Sequence, residues 1–208
     1  MKWYFIKTPT FIKSIFSSQI WDIPNTEKNI YLTFDDGPIP EVTPWIINLL
    51  NQYHIKATFF CIGDNIHKHP DVFDLIKKNG HTIGNHTYNH LNGWKTSNPQ
   101  YLNNIELCEK LLHGENDKLF RPPYGKIKKS QNDLLQKKGY KIIMWDVLSA
   151  DFDQTITPKK CLENVITNVT SGSIIVFHDS LKAQKNLEFA LPKTIQYLLE
   201  NGYKFKTL

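Results

Sequence analysis

Short apolar, β-prone runs alternate with stretches of helical periodicity along most of the 208 residues, and glycines stand where several of the periodic stretches stop. Together these features predict an α/β fold, an irregular (β/α) barrel of about seven parallel strands with helices outside, because parallel neighbours need crossover connections and helices are the usual crossover. An open, doubly wound sheet competes with the barrel on the same alternation.

The elements follow in order. Residues 1–28, opening MKWYFIKTPTFIKSIFSSQIW, read as a lead-in whose aromatics pack on a domain spanning 29–208. Lys7, Pro9 and Lys13 interrupt its apolar character and no A-x-A-like cleavage site follows, so a secretory signal is not expected, which on sequence alone reads as cytoplasmic and leaves the location open. No apolar run approaches the ~20 residues that cross a bilayer. Strand-like IYLTF (30–34) precedes helical spacing over 42–53, ATFFCIG precedes a helix over 72–78 closed by Gly80, and HTIGNH forms the third strand. A helix over 99–112, a strand near 119–121, a helix over 130–138 stopped by Gly139 and strand YKIIMW come next. A helix over 158–168, strand SIIVF, a helix over 187–200 and strand YKFKTL complete the chain.

Composition narrows the function classes. A net charge of +5 comes from scattered lysines, which describes a solvated surface and does not call for nucleic acid. Cys61, Cys108 and Cys161 include no CxxC pair, so neither a disulfide framework nor a zinc knuckle is implied, and three small buried hydrophobes are expected.

In parallel α/β folds the chemistry sits at the carboxyl ends of the strands. Asp35 and Asp36, His86 and His90, Arg121, Asp151, and His178 with Asp179 all fall there and are expected on one rim. Two adjacent carboxylates repel unless a cation sits beside them. The pair His86 and His90, spaced i and i+4 in HTYNH, places two imidazoles on one side of a helical turn and suggests that the cation is a metal. One carboxylate with two imidazoles suits Zn²⁺ or a similar first-row ion, and Fe²⁺ with oxygen chemistry is the rival on ligand type.

The ordered series TFDDGP, HTYNH, RPPYG, WDVLSADFD and IVFHDS, spread over Thr33 to Ser180, resembles the motif series of the polysaccharide deacetylase family, the NodB-homology domain. The resemblance covers about residues 29–208. It implies a metal-dependent hydrolase that removes acetyl groups from sugar polymers, on an irregular barrel, with an acetylated carbohydrate as partner and a divalent metal, zinc foremost with cobalt or nickel as alternatives, as cofactor. Carried onto this sequence, it implies Asp36, His86 and His90 as metal ligands, Asp35 as general base, Arg121 as the partner of that base, His178 as general acid and Asp151 as the carboxylate that orients it. The backbone N–H of Tyr124 corresponds to the oxyanion donor, and Phe152 and Val176 to walls of an acetyl pocket, with Trp145 expected in the core near that wall.

Departures bear on specificity. Leu148 and Phe152 stand where an aspartate and a tryptophan are common in the family, and Val176 replaces a frequent leucine. They leave room for one alternative, an O-acetyl ester or cyclic amide hydrolase on the same barrel, and the other alternative is a non-catalytic carbohydrate-binding domain. The latter predicts missing ligands or a missing acid, and none is missing.

Overall fold

The computed structural model describes residues 4–112 and 118–208. Among the described residues, eight strands form one parallel sheet: β1 (Asn29–Asp35), β2 (Thr58–Cys61), β3 (Thr82–Asn85), β4 (Leu119–Phe120), β5 (Lys141–Ile142), β6 (Val147–Leu148), β7 (Ile174–His178) and β8 (Lys204–Lys206). Seven run side by side in the order β5-β4-β3-β2-β1-β7-β6, and β8 pairs with the start of β1. The sheet curls into a half-barrel with helices around it. They are α1 (Thr10–Ile15), α2 (Thr43–Gln52), α3 (Gly63–Lys68), α4 (Pro70–Lys78), α5 (Asn98–Leu112), α6 (Lys129–Lys137), α7 (Pro158–Ile166) and α8 (Gln184–Glu200).

Local chemistry explains the boundaries. Helix α7 starts where the Thr157 hydroxyl accepts from the Lys160 N–H at 3.1 Å, with Pro158 at the first helical position. Helix α6 stops where Gly139 takes φ of 87°, a conformation that carries no penalty without a Cβ.

Strand β1 is buried on both faces, as a central parallel strand must be. Ile30, Leu32 and Phe34 point toward the helices, where Phe34 stacks on Phe59 with ring centroids 4.9 Å apart. Tyr31 points into the barrel with Phe60, Leu119, Ile143 and Ile174. The two-residue alternation therefore carries Thr33 and Asp35 into the barrel interior as well.

Several elements differ from expectation. The sequence gives no indication of β6, because two residues are too few for a periodic pattern, nor of α1 and α3, each a six-residue helix. Of the lead-in aromatics, Trp21 is buried and Tyr4 packs on Phe152, but Phe5, Phe11 and Phe16 face solvent. Polar contacts hold this segment as well, beside the packing of Tyr4, Ile6, Ile20 and Ile23. Strands β5 and β6 leave a seam between them, and residues 4–22 lie along it. Ile6 accepts from the Leu148 N–H at 2.8 Å and Thr8 donates to the Asp146 carbonyl at 2.9 Å, while Ile20 donates to Ile142 at 2.8 Å and accepts from Met144 at 2.7 Å.

Asp146 latches the segment. Its two oxygens receive the ammonium groups of Lys7 and Lys13, each at 2.5 Å, and Lys13 also reaches Asp22. Burial opposes ionisation of Asp146, but hydrogen bonds from Lys13, Lys7 and Ser173 outweigh it and hold the carboxyl below its ordinary range. A carboxylate shifted this way contributes stability that is complete above its unfolded range and lost as pH falls through the folded one. Asp146→Asn is expected to lower the unfolding free energy in urea by about 2 kcal/mol. The difference from wild type should shrink as the titration is repeated at progressively lower pH, and an equal difference at pH 7 and pH 3 would contradict the latch.

Candidate active site

The carboxyl ends of the strands surround a cavity of about 460 Å³ lined by Asp35, Asp36, His86, His90, Tyr124, Phe152, Val176 and His178 among others. Arg121 and Asp151 lie behind this surface, each fully buried and bonded to a residue that lines it.

Asp35 ends β1 inside the barrel, and its Oδ1 accepts from Arg121 Nη1 at 2.7 Å. The same nitrogen donates to Thr33 Oγ1 at 2.7 Å, Nη2 donates to the Met144 carbonyl at 2.9 Å, and the guanidinium lies 4.1 Å from the centre of the Phe60 ring. Burial lowers the affinity of Arg121 for its proton, and the charge of Asp35 works against that loss. The next residue, Asp36, has φ of 86°, so the chain turns sharply and its carboxylate emerges on a different side from that of Asp35. The Asn65 side chain holds the Asp36 carbonyl at 2.7 Å. Gly37 then passes so close to Asp179 that a Cβ there would sit 1.8 Å from Oδ2, and its N–H donates to Asp179 Oδ1 at 2.8 Å. Thr43 donates to the other oxygen at 2.6 Å. Burial first, and then the negative field of Asp36, push the Asp179 carboxyl up to about 8 in spite of these bonds.

His86 and His90 do not stand on a helical turn as expected. Residues 86–90 form an irregular loop in which Thr87 and His90 take φ of 65° and 54°. Asn104 on α5 pins this loop, its Oδ1 accepting from the N–H groups of Tyr88 and Asn89 at 2.9 and 3.0 Å. The two imidazoles converge all the same, with centroids 5.1 Å apart.

These residues fit a metal. One donor atom from each of Asp36, His86 and His90 lies within 4.8 Å of the others. Asp36 Oδ1 is 3.3 Å from His90 Nε2 and 3.7 Å from His86 Nε2. The edge of a tetrahedron with bonds of ~2.1 Å is roughly 3.4 Å, so the spacing suits such an ion. His86 Nδ1 lies 2.8 Å from the Arg121 carbonyl, which can only accept, so Nδ1 carries the hydrogen and Nε2 presents its lone pair. Burial and the neighbouring His90 pull His86 down to about 4, which keeps it neutral. Burial opposes ionisation of Asp36, but the hydrogen bond from His90 and the fields of His178 and His86 hold it well below the usual carboxylate range. His90 is backed by the Tyr124 hydroxyl, 3.1 Å from its Nδ1.

On β7, where His178 is the in-register neighbour of Asp35, both oxygens of Asp151 engage His178, Oδ1 with Nδ1 and Oδ2 with the backbone N–H, each at 2.7 Å. Burial disfavours the imidazolium, but the charge of Asp151 and its hydrogen bond, helped by Asp36 and Asp35, push His178 up to about 9. Phe152 meets this ring edge-on with centroids 5.0 Å apart.

Tyr124 has φ of 61°, and its ring is exposed. Trp145, expected in the core, lines the cavity instead, because it lies in the connection between β5 and β6, half-buried between two apolar clusters. Tyr4, Lys126 and Lys182 also line the cavity without any pattern in the sequence to announce them, whereas Asp179, expected on this rim beside His178, is buried and bonded to Gly37 and Thr43.

The sequence family described as polysaccharide deacetylase matches residues 22–143. A Bacillus cereus protein named peptidoglycan-N-acetylglucosamine deacetylase is 36% identical over 191 residues, covering 90% of this chain and 90% of that protein. Chitin deacetylase 2 of Saccharomyces cerevisiae is 34% identical over 172 residues, 78% of this chain and 54% of its own length. Among solved structures, a peptidoglycan N-acetylglucosamine deacetylase in complex with 4-naphthalen-1-yl-N-oxidanyl-benzamide superposes with a TM-score of 0.88 at 34% identity, covering 97% of this chain and 95% of that one. With an Asp/His/His cluster sharing one cavity with an arginine-anchored carboxylate and an aspartate-backed imidazole, and with relatives this similar along nearly its full length, the chain belongs to the polysaccharide deacetylase family.

Proposed function

We propose that this protein hydrolyses the acetamide of N-acetylated glucosamine units in a glycan, the group its named relatives act on, with Asp36, His86 and His90 holding a divalent ion. The observation that carries the reading is that two groups able to handle a proton, Asp35 and His178, line one cavity together with a cluster that fits a metal. Zinc suits one carboxylate and two imidazoles, and cobalt and nickel suit the same donors. Such an ion, when bound, polarises the acetamide carbonyl and makes water a stronger acid.

The chain's own residues do the rest. Asp35 takes a proton from the attacking water, aimed by the bond between its Oδ1 and Arg121, so that the water oxygen bonds to the carbonyl carbon. The Tyr124 N–H stabilises the negative charge that develops on the carbonyl oxygen. As the carbon–nitrogen bond breaks, His178, held by Asp151 at Nδ1, delivers the proton of Nε2 to the leaving nitrogen. An amine expelled without that proton would be far too basic to leave. Acetate and a free amine result. Phe152 and Val176 wall the space beside His178 that receives the acetyl methyl.

Metal analysis of the purified protein, combined with acetate release from peptidoglycan fragments and chitooligosaccharides, tests the reading directly. Asp35→Asn is expected to retain the metal while losing about 10²- to 10⁴-fold in turnover, the usual contribution of a positioned base. His86→Ala should lose both metal and turnover. Full activity in Asp35→Asn would remove that residue from the base role.

The pH dependence supplies a separate test. Turnover requires protonated His178, so its alkaline limb falls as pH rises through the pKa that Asp151 holds up. Asp151→Asn removes that charge and leaves burial to favour the neutral ring, so the limb should move to lower pH. A limb that stays in place would exclude His178 as the acid.

A further inference from the structure

Tyr4 belongs to the lead-in, outside the span matched by the family, yet it lines the catalytic cavity. It joins Ile6, Trp145 and Phe152 around a cluster of Leu148, Ala150 and Val176, the apolar end of that cavity. Its ring meets Phe152 edge-on with centroids 5.7 Å apart and planes at 69°, and Phe152 in turn meets His178. Two anchors fix the ring. The Tyr4 hydroxyl donates to Asp153 Oδ2 at 2.9 Å, and two residues further on the backbone of Ile6 pairs with Leu148. The ring is thus bolted at its tip and near its root, and it cannot swing aside without breaking a hydrogen bond between half-buried groups.

An acyl group seated between Phe152 and Val176 extends into this apolar end. A methyl fits a short space, whereas each added methylene advances toward the anchored ring. Resting on the deacetylase reading above, the geometry points to Tyr4 as the residue that limits the length of the acyl group the enzyme accepts. The lead-in then supplies part of the substrate site as well as the closure of the barrel seam.

The test compares wild type, Tyr4→Ala, Tyr4→Leu and Tyr4→Phe on chitooligosaccharides carrying N-acetyl, N-propanoyl or N-butanoyl groups. Calorimetric binding of acetohydroxamate and butanohydroxamate to the same metal-loaded proteins gives a readout independent of turnover. A single methylene in an apolar pocket discriminates by about 10- to 200-fold. Tyr4→Ala should therefore reduce the preference for acetyl over butanoyl by about tenfold or more in kcat/KM, and shift the hydroxamate preference in the same direction. Tyr4→Leu should shift both less, and Tyr4→Phe, which keeps the ring but frees its tip from Asp153, should shift both least. A purely structural residue would depress all acyl groups alike. Unchanged ratios in Tyr4→Ala and Tyr4→Leu, with wild type active, would overturn this inference and leave the deacetylase reading standing. A metal-loaded wild type that releases no acetate and binds neither hydroxamate would overturn both.

Discussion

The arrangement depends first on a guanidinium buried at the centre of the barrel. Arg121 is 0% exposed, and a bare charge in such a place would cost many kcal/mol. It is tolerated because Asp35 supplies the opposite charge, Thr33 and Met144 accept two further bonds, and Phe60 covers one face with its π-cloud. The residue acts at both ends. Its side chain fixes the carboxylate of Asp35, and its main-chain carbonyl fixes the tautomer of His86. The Asp35 carboxylate and the His86 imidazole are therefore referenced to one rigid point, and neither can drift independently of the other.

The histidines reach their polarity by other means. His86 and His178 share one side-chain chemistry, but burial dominates at the first and the Asp151 carboxylate at the second, so the two rings are pushed to opposite sides of neutrality, about 4 and about 9. One imidazole offers a lone pair and the other a proton. The difference lies wholly in what surrounds them. The supports also differ in kind. Arg121 is sealed inside the sheet, whereas His178 leans on half-buried Phe152, which leans on Tyr4.

Much of this was legible in the chain itself. Strands β1, β2 and β7 are continuous apolar runs because they are buried on both faces, and the polar residues that end them stand out for that reason. What could not be read were features carried by few residues or by distant ones. Strand β6 is two residues long and leaves no periodic trace. The convergence of His86 and His90 comes from left-handed backbone at Thr87 and His90, a conformation that residue spacing does not encode, so the expected helical turn was the wrong route to the right proximity. Tyr4 and Asp146 matter through partners more than 130 positions away, and no local pattern marks either one.

The stitching of residues 4–22 along the seam has a consequence for solubility. Strands β5 and β6 are the two margins of the sheet, and unpaired margins invite the same surface on another molecule. Here both are very short and both are already hydrogen-bonded, one to Ile20 and the other to Ile6 and Thr8. Peeling this strap away would bare amides and carbonyls on each flank, so its loss invites clumping of the folded barrel as well as loosening within it.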